Sequence, residues 1–589
     1  MASLLEAHTA TRASSLSSQT YHDNTEPTSA AAKDTAVSYS DTNNDTPSSL
    51  YDEKAERNPV DKEESSPTDV DEQQNNDEPE YPKAAKLIFI VVSLVLSMFL
   101  IALDMTIVAT AIPQITDDFK SLDQVAWYGS AFFLTLAAFQ STSGKVYKYF
   151  PLKTSFLIFI FVFEIGSLLC AVAPNSTAFI VGRAIAGIGG AGISSGVYII
   201  IAFSAPPRQR PALTGVLGAT FSVASVVGPL LGGVFTSDVS WRWCFYINLP
   251  IGGLSAAIIL FFFQTPATAK PVDAPLKEKL LQMDPLGTTL IIGATICYLL
   301  AMQWAGVSKA WSDSEVVGLL VGFGLMVIAF ILVQVYSGER ALVPKRIIKD
   351  RTIAIGCAYV LFVIGPMFIM IYYLPIYFQS IKDVSASQSG VRNVPFILSS
   401  SLGAIMSGLL ITAFGQYGYL MILAVVIETI GAGLIYTFDI GTGHSKWIGY
   451  QVICGFGAGL GSQIAIIVNQ ALVDSSDVSN VTAVTLFFQT IGGALWISGA
   501  QAGFTNTLMK KLPIYAPDVN PALVVATGAT DLRKVFTAAQ LPGILQAYMD
   551  GLKIAFIFAI ALGGFCCIIS VFPKWKSLKG KVQPGMGAA

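Results

Sequence analysis

The sequence has few charged residues, few cysteines and almost no histidine for its length. Charged residues make up 13% of its 589 residues, whereas soluble globular chains carry about 25%. Six of the seven cysteines lie inside long apolar runs, where packing is the expected role rather than disulfide formation or metal binding. Only one of three histidines, His444, follows residue 83. We therefore expect no enzyme of the zinc or Ser-His-Asp type, no metal site and no cofactor.

The few charges are divided unevenly along the chain. Residues 1–83 hold 18 acidic and 6 basic residues, whereas residues 84–589 hold 21 acidic and 30 basic residues, so the net charge of -3 is a cancellation. The first segment has too little apolar surface to offset the entropy of folding. We predict that it is a disordered, acidic, cytoplasmic tail.

Long apolar runs fill the rest of the chain. Over the full 589 residues, 53% are hydrophobic. About 20 apolar residues in a helix cross the hydrocarbon core of a bilayer. The sequence predicts fourteen such helices, at about 87–111, 124–142, 154–173, 178–203, 213–235, 246–264, 286–304, 315–335, 352–374, 391–413, 418–437, 447–469, 481–502 and 551–572. The predicted fold class is an all-α polytopic membrane protein.

The basic residues predict the orientation in the membrane. With both termini cytoplasmic, the inside loops and the C-terminal tail hold seventeen lysines and arginines, and the short outside loops hold six. Short cytoplasmic loops are enriched in these residues. Both termini are therefore predicted to be cytoplasmic.

A faint internal repeat divides the apolar part. Gly144 stands 20 residues before Glu164, and Gly408 stands 20 residues before Glu428; glycine patterns in spans 4 and 12 also match. Two six-helix halves around a central path are a transporter architecture. The predicted regions are the acidic tail (1–83), an N-terminal six-helix bundle (84–264), two inserted helices with cytoplasmic loops (265–351), a C-terminal six-helix bundle with a long outside loop at 503–550 (352–572) and a cytoplasmic tail (573–589).

Four ionisable residues fall inside predicted spans: Asp104, Glu164, Arg183 and Glu428. Each costs about 2.5–3.5 kcal/mol at a helix centre, so each is expected to have a partner. Asp104 and Arg183 both lie roughly 12–14 Å from the outer ends of their helices, and their charges are opposite. We predict that they form the proton-coupling or gating pair, the alternative being an ion pair that only fixes packing. For the two glutamates we expect structural pairing.

Several segments resemble one family. They are Leu103 to Pro113, Arg183 with Gly187, Ala224 to Gly233, Trp241 to Gly252, and Asp284 to Gly287. Through them, residues 86–572 resemble the major facilitator superfamily, and within it the fourteen-helix drug:proton antiporters, especially fungal toxin and multidrug efflux pumps. The resemblance implies the major facilitator fold with 6 + 2 + 6 helices and links Arg183 to proton transfer. It also identifies an antiporter motif, whose members here are Gly228, Pro229, Gly232 and Gly233.

One motif departs from the family pattern. In the loop after span 2, Lys148 stands at a position that is normally acidic. The departure puts the usual charge relay of this loop in doubt. Lys145, Lys148 and Lys153 are then expected to serve topology and lipid headgroups.

The resemblance implies export of a small organic compound, a toxin or drug, in exchange for protons, with the proton gradient as the energy source. The expected partners are the small-molecule substrate and the lipid bilayer, without nucleic acid, in a monomer of the plasma membrane or of a vacuolar or vesicle membrane. Alternatives are a proton-coupled importer of a small cationic solute and a non-transporting sensor on a transporter body. The candidate cavity residues are Tyr198, Phe221, Phe362, Met367, Tyr372, Gln463, Asn469, Phe487 and Gln489.

Overall fold

A computed structural model describes residues 81–119, 125–266, 269–527, 531–575 and 577–578. The predicted acidic tail, except for residues 81–83, and the end of the C-terminal tail lie outside the described residues. The predictions of a disordered tail and of two cytoplasmic termini therefore stay predictions.

The described chain folds into helices, with one isolated bridge between Ala305 and Lys309. Its α-helices are α1 (Ala84–Phe119), α2 (Val125–Tyr149), α3 (Leu152–Ala171), α4 (Ser176–Ser204), α5 (Arg210–Val234), α6 (Trp243–Tyr246), α7 (Asn248–Phe262), α8 (Leu276–Leu281), α9 (Pro285–Trp304), α10 (Ser314–Ser337), α11 (Lys345–Ile348), α12 (Arg351–Ser380), α13 (Ala386–Phe414), α14 (Gly418–Tyr436), α15 (His444–Ser462), α16 (Ile464–Ala471), α17 (Val478–Tyr515), α18 (Pro521–Ala526), α19 (Leu532–Val535) and α20 (Leu541–Ser570). The predicted all-α class is confirmed.

Thirteen helical segments of the described chain are long and apolar enough to cross a membrane. They correspond to every predicted span but the second. At that position lies α2, whose mean hydropathy is lowered by polar residues such as Gln140, Ser141 and Thr142. These three side chains are buried. The helix packs its polar face inside the protein, which explains why its composition is less apolar than that of its neighbours.

The two halves pack in the same pattern. In the first half α1 contacts α5 and α7, and α4 contacts α2 and α3; in the second, α12 contacts α17 and α20, and α15 contacts α13 and α14. Between the halves, α5 packs on α13 and α17 packs on α2. One contact shows the repeat at atomic detail: Gly187 faces the carbonyl of Phe132, and Gly455 faces the carbonyl of Phe396.

The inserted helices α9 and α10 pack on each other, and α9 also contacts α2 and α17. Large apolar side chains of α10, among them Leu325, Ile328 and Ile331, are exposed. A membrane-spanning helix with such a surface faces lipid. The two inserted helices therefore contact the bundle through α9, which packs on α2 of the first half and α17 of the second.

The helices around the predicted outside loop 503–550 are longer than the sequence predicts. Helix α17 continues to Tyr515 and α20 begins at Leu541. The added turns form because Leu508 and Leu512 of α17 and Ile544 of α20 are buried in one apolar core. The connection is therefore residues 516–540, which contain α18 and α19.

Candidate functional site

Asp104 and Arg183, predicted as a pair, are in contact at the centre of the first half. Arg183 Nη1 donates to Asp104 Oδ2 at 2.6 Å, and the two side chains are 1% and 0% exposed. Arg183 Nε donates to the backbone carbonyl of Tyr128 at 3.0 Å. Helices α1, α2 and α4 thus meet at one guanidinium. A charge-assisted hydrogen bond in such a dry place is strong.

Further groups complete this ion-pair network. Asn248 Nδ2 donates to Asp104 Oδ1 at 3.2 Å and to Ser167 Oγ at 3.1 Å. The guanidinium carbon lies 4.5 Å from the ring centre of Phe132, within cation–π range. The sequence analysis did not assign a role to Asn248. Its signal was an amide at the start of an apolar span, within the family segment Trp241 to Gly252.

Two members of the antiporter motif, Gly228 and Gly232, lie at the contact between α1 and α5. A Cβ atom at Gly228 would overlap Thr106 of α1, and one at Gly232 would overlap Thr110. Pro229 lies between them inside α5. A Cβ atom at Gly233 would meet nothing within 4 Å. Two of the motif's glycines therefore let α5 approach the helix that carries Asp104, and Gly233 takes no part in this approach.

A cavity of about 630 Å³ lies between the two halves. Its wall is formed by α1, α2, α4 and α5 of the first half, by α12 and α17 of the second, and by the inserted helix α9. Sites for small organic ligands have volumes of about 300–1,000 Å³. The cavity is therefore large enough to hold a small organic molecule.

The cavity wall is apolar and amide-rich. Its polar side chains include Gln140, Gln303, Gln463, Gln489 and Gln501. No Asp, Glu, Lys, Arg or His stands among the described residues that line it. The wall offers hydrogen bonds to a ligand but no counter-ion.

Comparisons with known proteins agree with this architecture. The family model described as Major Facilitator Superfamily matches residues 94–497. The chain is 49% identical over 519 residues to the MFS-type transporter grgE of Penicillium sp, a match covering 88% of this chain and 92% of that protein. It is 48% identical over 501 residues to the MFS-type efflux pump MFS1 of Arthroderma benhamiae, covering 85% of this chain and 93% of that protein.

The chain belongs to the major facilitator superfamily. It is a multi-pass membrane transporter of small molecules and not an enzyme. The predicted major facilitator fold is also seen in a solved structure, the proton:xylose symporter XylE bound to 6-bromo-6-deoxy-D-glucose. That chain aligns with a TM-score of 0.54 at 12% identity, covering 85% of this superfamily member and 99% of XylE. At this identity the likeness concerns the fold alone.

Six of the nine candidate cavity residues lie on the cavity wall. They are Tyr198, Phe221, Met367, Tyr372, Gln463 and Gln489. Whether they contact substrate stays a prediction. The wall also contains residues that were not among the candidates, notably Met302 and Gln303 of the inserted helix α9. The amide of Gln303 inside an apolar span is the sequence signal that indicates a role for α9.

The other three candidates lie elsewhere. Phe362 packs its ring on Trp496 at 5.1 Å and on Phe565 at 4.7 Å between ring centres. Asn469 is fully buried and donates to Thr485 Oγ1 at 2.9 Å. Phe487 packs in an apolar cluster behind the wall. None of these three side chains lines the cavity, although α12 and α17, which carry Phe362 and Phe487, do contribute to its wall.

The ion-pair network lies just behind the cavity wall. Met105, adjacent to Asp104 on α1, lines the cavity, as does Gly129, adjacent to Tyr128. Helices α1, α2 and α4, which meet at the guanidinium of Arg183, therefore also form part of the cavity wall.

The expected pairing of the two glutamates is wrong. Both carboxylate oxygens of Glu164 and of Glu428 are buried and have no hydrogen-bond partner within the described chain. No basic residue lies near enough to pair with either group. The sequence rule that buried charges are paired fails here because a carboxyl group can instead be protonated.

The lysines after span 2 contact protein rather than serving only topology and headgroups. Lys148 Nζ lies 2.9 Å from Asp477 Oδ1 of the second half, and Arg346 of α11 binds the same carboxylate at 2.6 and 2.9 Å. Lys145 is 1% exposed and donates to the carbonyl of Glu339. The unusual lysine at position 148 therefore joins the halves, with an acidic partner supplied by the second half.

Proposed function

We propose that this superfamily member exports a small, uncharged, amphipathic organic compound in exchange for protons. The observation that carries the proposal is a neutral, amide-rich cavity lined in part by α1, α2 and α4, the helices that meet at a buried Asp–Arg pair. In this proposal the cavity binds the organic compound, and the Asp104–Arg183 pair binds the proton. The name of the relative MFS1, an efflux pump at 48% identity, supports the outward direction.

Through the ion-pair network, a proton that binds to Asp104 can change the packing of the helices. In the described conformation Asp104 accepts hydrogen bonds from Arg183 and Asn248, and its carboxylate is the counter-ion of Arg183. A proton on Asp104 removes that charge and leaves Arg183 buried without its counter-ion, a change worth about 3–5 kcal/mol in buried pairs. Movement of α1 against α4 relieves this cost. Protonation therefore favours a second arrangement of the first half, which alternating access requires.

The wall chemistry favours an uncharged cargo over the cationic solute of the importer alternative. A cation would lose its hydration in the cavity without a carboxylate to replace it. An amphipathic compound with amide or hydroxyl groups can bond with the glutamines and place its apolar surface on Met98, Met105 and Phe368.

The remaining parts of the proposal concern the setting. The protein works as a monomer in the plasma membrane, its partners are its substrate and the bilayer, and it needs no cofactor beyond the proton gradient. A vacuolar or vesicle membrane would give the same chemistry with a different destination for the cargo.

Transport by the purified full chain in liposomes tests this function. Radiolabelled chloramphenicol serves as an uncharged amphipathic probe, and tetraphenylphosphonium serves as a cationic one. With an acidic interior, we expect chloramphenicol to accumulate as protons leave, and Asp104→Asn to abolish the accumulation. Accumulation of tetraphenylphosphonium alone would show exchange of a cation for protons and would overturn the uncharged cargo, whereas uptake that requires an acidic exterior would favour the importer alternative. Accumulation of chloramphenicol that ignores the pH gradient would overturn proton exchange.

A further inference from the structure

Glu164 lies on α3 with its carboxyl group enclosed by protein. Both carboxyl oxygens are buried and neither has a hydrogen-bond partner among the described residues. The space for the group is provided by Gly252 of α7, where a Cβ atom would overlap Glu164 Oε1. The side chain is therefore fitted into the contact between α3 and α7.

The helical register places Glu164 one turn from the ion-pair network. Asn248 of α7 bonds to both Asp104 and Ser167. Gly252 follows Asn248 by four residues, and Glu164 precedes Ser167 by three, so both steps are about one helical turn of 5.4 Å. Both steps point to the predicted cytoplasmic side, because α3 and α7 run in opposite directions.

A buried serine cluster continues the same line. Ser255 of α7 bonds through its hydroxyl to Ser97 Oγ at 2.6 Å and to Ser93 Oγ at 2.8 Å, both on α1. All three side chains are fully buried. Ser255 follows Gly252 by three residues, so the cluster lies one further turn towards the predicted cytoplasmic side. Serine hydroxyls donate and accept hydrogen bonds at once, which lets them relay protons.

The serine cluster lies near the predicted cytoplasmic ends of α1 and α7. Ser93 is nine residues from Ala84, where α1 begins. At the same end, Lys86 Nζ approaches Gln264 Oε1, just beyond α7, at 3.5 Å. The interface between α1, α3 and α7 thus contains Asp104, Glu164 and the serine cluster in this order, and it ends at these helix termini.

The two carboxyl groups have different surroundings. Asp104 accepts hydrogen bonds from Arg183 and Asn248, whereas neither oxygen of Glu164 has a partner among the described residues. A buried carboxyl group without a donor or a counter-ion is a place where a proton can be held. The other titratable groups around this part of the first half are Arg183, which is bound to Asp104, and the thiols of Cys170 and Cys244.

We propose that Glu164 is a second proton site, which takes the proton from Asp104 and passes it through Ser97, Ser255 and Ser93 to the predicted cytoplasmic side. Asp104 loses the proton that the Glu164 carboxylate gains, so total charge is conserved and Asp104 can bind Arg183 again. The inference rests on the proposed proton exchange and adds its exit route.

Glu428 provides a matched control. It occupies the equivalent place in the second half, is fully buried, and likewise has no partner for its carboxyl oxygens. The carboxyl oxygens of both glutamates are buried without a partner among the described residues, although the Glu428 side chain is completely buried and that of Glu164 is partly exposed. Glu428 also belongs to the half that lacks Asp104.

Infrared spectroscopy tests the route without any substrate. The full chain in lipid is transferred to D₂O, and the shift of the protonated-carboxyl band reports proton exchange; Glu164→Gln and Glu428→Gln assign the two bands. We expect the Glu164 band to shift at least tenfold faster than the Glu428 band, and Ser255→Ala to slow only the former. Equal rates, or a Glu164 rate that ignores Ser255→Ala, would overturn the route.

Transport of chloramphenicol separates a proton role from a structural one. We expect Glu164→Gln to lose accumulation driven by the pH gradient but to retain exchange of labelled for unlabelled chloramphenicol without a gradient, while Glu428→Gln retains both. Loss of both activities in folded Glu164→Gln protein would assign the residue a structural role. Full pH-driven accumulation by Glu164→Gln would also overturn the inference. If the wild-type chain ignores the gradient, the proposed function itself fails, and the exit route with it.

Discussion

The guanidinium of Arg183 serves three neighbours at once. It donates to Asp104 and to the carbonyl of Tyr128, and it lies over the ring of Phe132. These contacts use the planar fork of an arginine, in which separate nitrogen atoms point to separate partners. The residue therefore connects helices α1, α2 and α4 through its shape as much as through its charge.

The first prediction follows from that shape. Arg183→Lys keeps the charge, but one ammonium cannot reach both Asp104 and the Tyr128 carbonyl with the same geometry. A lost hydrogen bond of a charged group costs about 1.5–3 kcal/mol, so we expect pH-driven chloramphenicol transport to fall about ten- to a hundredfold. The control is Arg242→Lys, which alters an exposed pair with Asp118. Equal activities of the two variants would contradict the importance of the fork.

At this scale the sequence predicts the ion pair but not the state of the glutamates. Opposite charges at matching depth in two spans have a strong reason to meet, and Asp104 and Arg183 do. Glu164 carries the same kind of signal, yet whether it pairs or takes up a proton depends on which side chains surround it. That information lies in the packing of Gly252 against it, which no local pattern reveals.

Among the helices, the contact of α1 with α5 depends on two glycines. Gly228 and Gly232 face Thr106 and Thr110, whereas Gly233 has open space where its side chain would be. Motif membership alone does not separate these positions, because all three are glycines of one short segment. The structure does separate them.

The second prediction uses this difference. Gly228→Ala forces α1 and α5 apart, and overpacking of this kind costs about 1–3 kcal/mol. Gly233→Ala meets no atom and gains helix propensity, so we expect equal or slightly higher stability. Thermal unfolding of the two variants in detergent measures the difference. A Gly228→Ala protein that melts at or above the temperature of Gly233→Ala would show that the contact yields easily.

The sequence predicts the helices better than their ends or their rotation. Apolar length sets where a span lies, so thirteen of the predicted spans recur as membrane-crossing helices of the described chain. Tertiary packing sets the ends, as Leu508 and Leu512 show by extending α17. Rotation is also set by packing, because a helix that is apolar on all sides carries no amphipathic pattern. For this reason the sequence does not reveal that, on α17, Gln489 lines the cavity while Phe487 packs in an apolar cluster.

Across the whole molecule, Asp477 ties the two halves together on the predicted cytoplasmic side. It is 6% exposed and binds Lys148 from α2 and Arg346 from α11. Alternating access requires these halves to separate on one side and then the other. The contact of Asp477 with Lys148 must therefore break once in every cycle.

The third prediction is that Asp477→Asn makes this separation easier. Arg346 is half exposed, so solvent screening limits the loss to about 1–2 kcal/mol, equivalent to a five- to thirtyfold shift in an equilibrium. We expect faster hydrogen–deuterium exchange in the segments around Lys148 and Asp477. Glu278→Gln, which removes an exposed pair with Arg340, is the control. Unchanged exchange in Asp477→Asn would mean that other contacts hold this side closed.

No charged side chain lines the described cavity wall, and the proposed function therefore gives it an uncharged cargo. With such a cargo, proton exchange moves net charge across the membrane. An uncharged cargo that leaves while one proton enters moves one positive charge inwards in each cycle. Membrane voltage then becomes an energy source in its own right, worth about 2.3 kcal/mol per 100 mV. This energy corresponds to a concentration ratio of about forty to fifty.

The fourth prediction is that voltage alone drives the pump. In liposomes of equal internal and external pH, a potassium diffusion potential that is positive inside should drive accumulation of chloramphenicol, and collapsing the potential should release it. A one-for-one exchange of a monovalent cation for a proton would move no net charge and would ignore the voltage. A cell with a negative interior could therefore keep exporting an uncharged compound even when the medium loses its acidity.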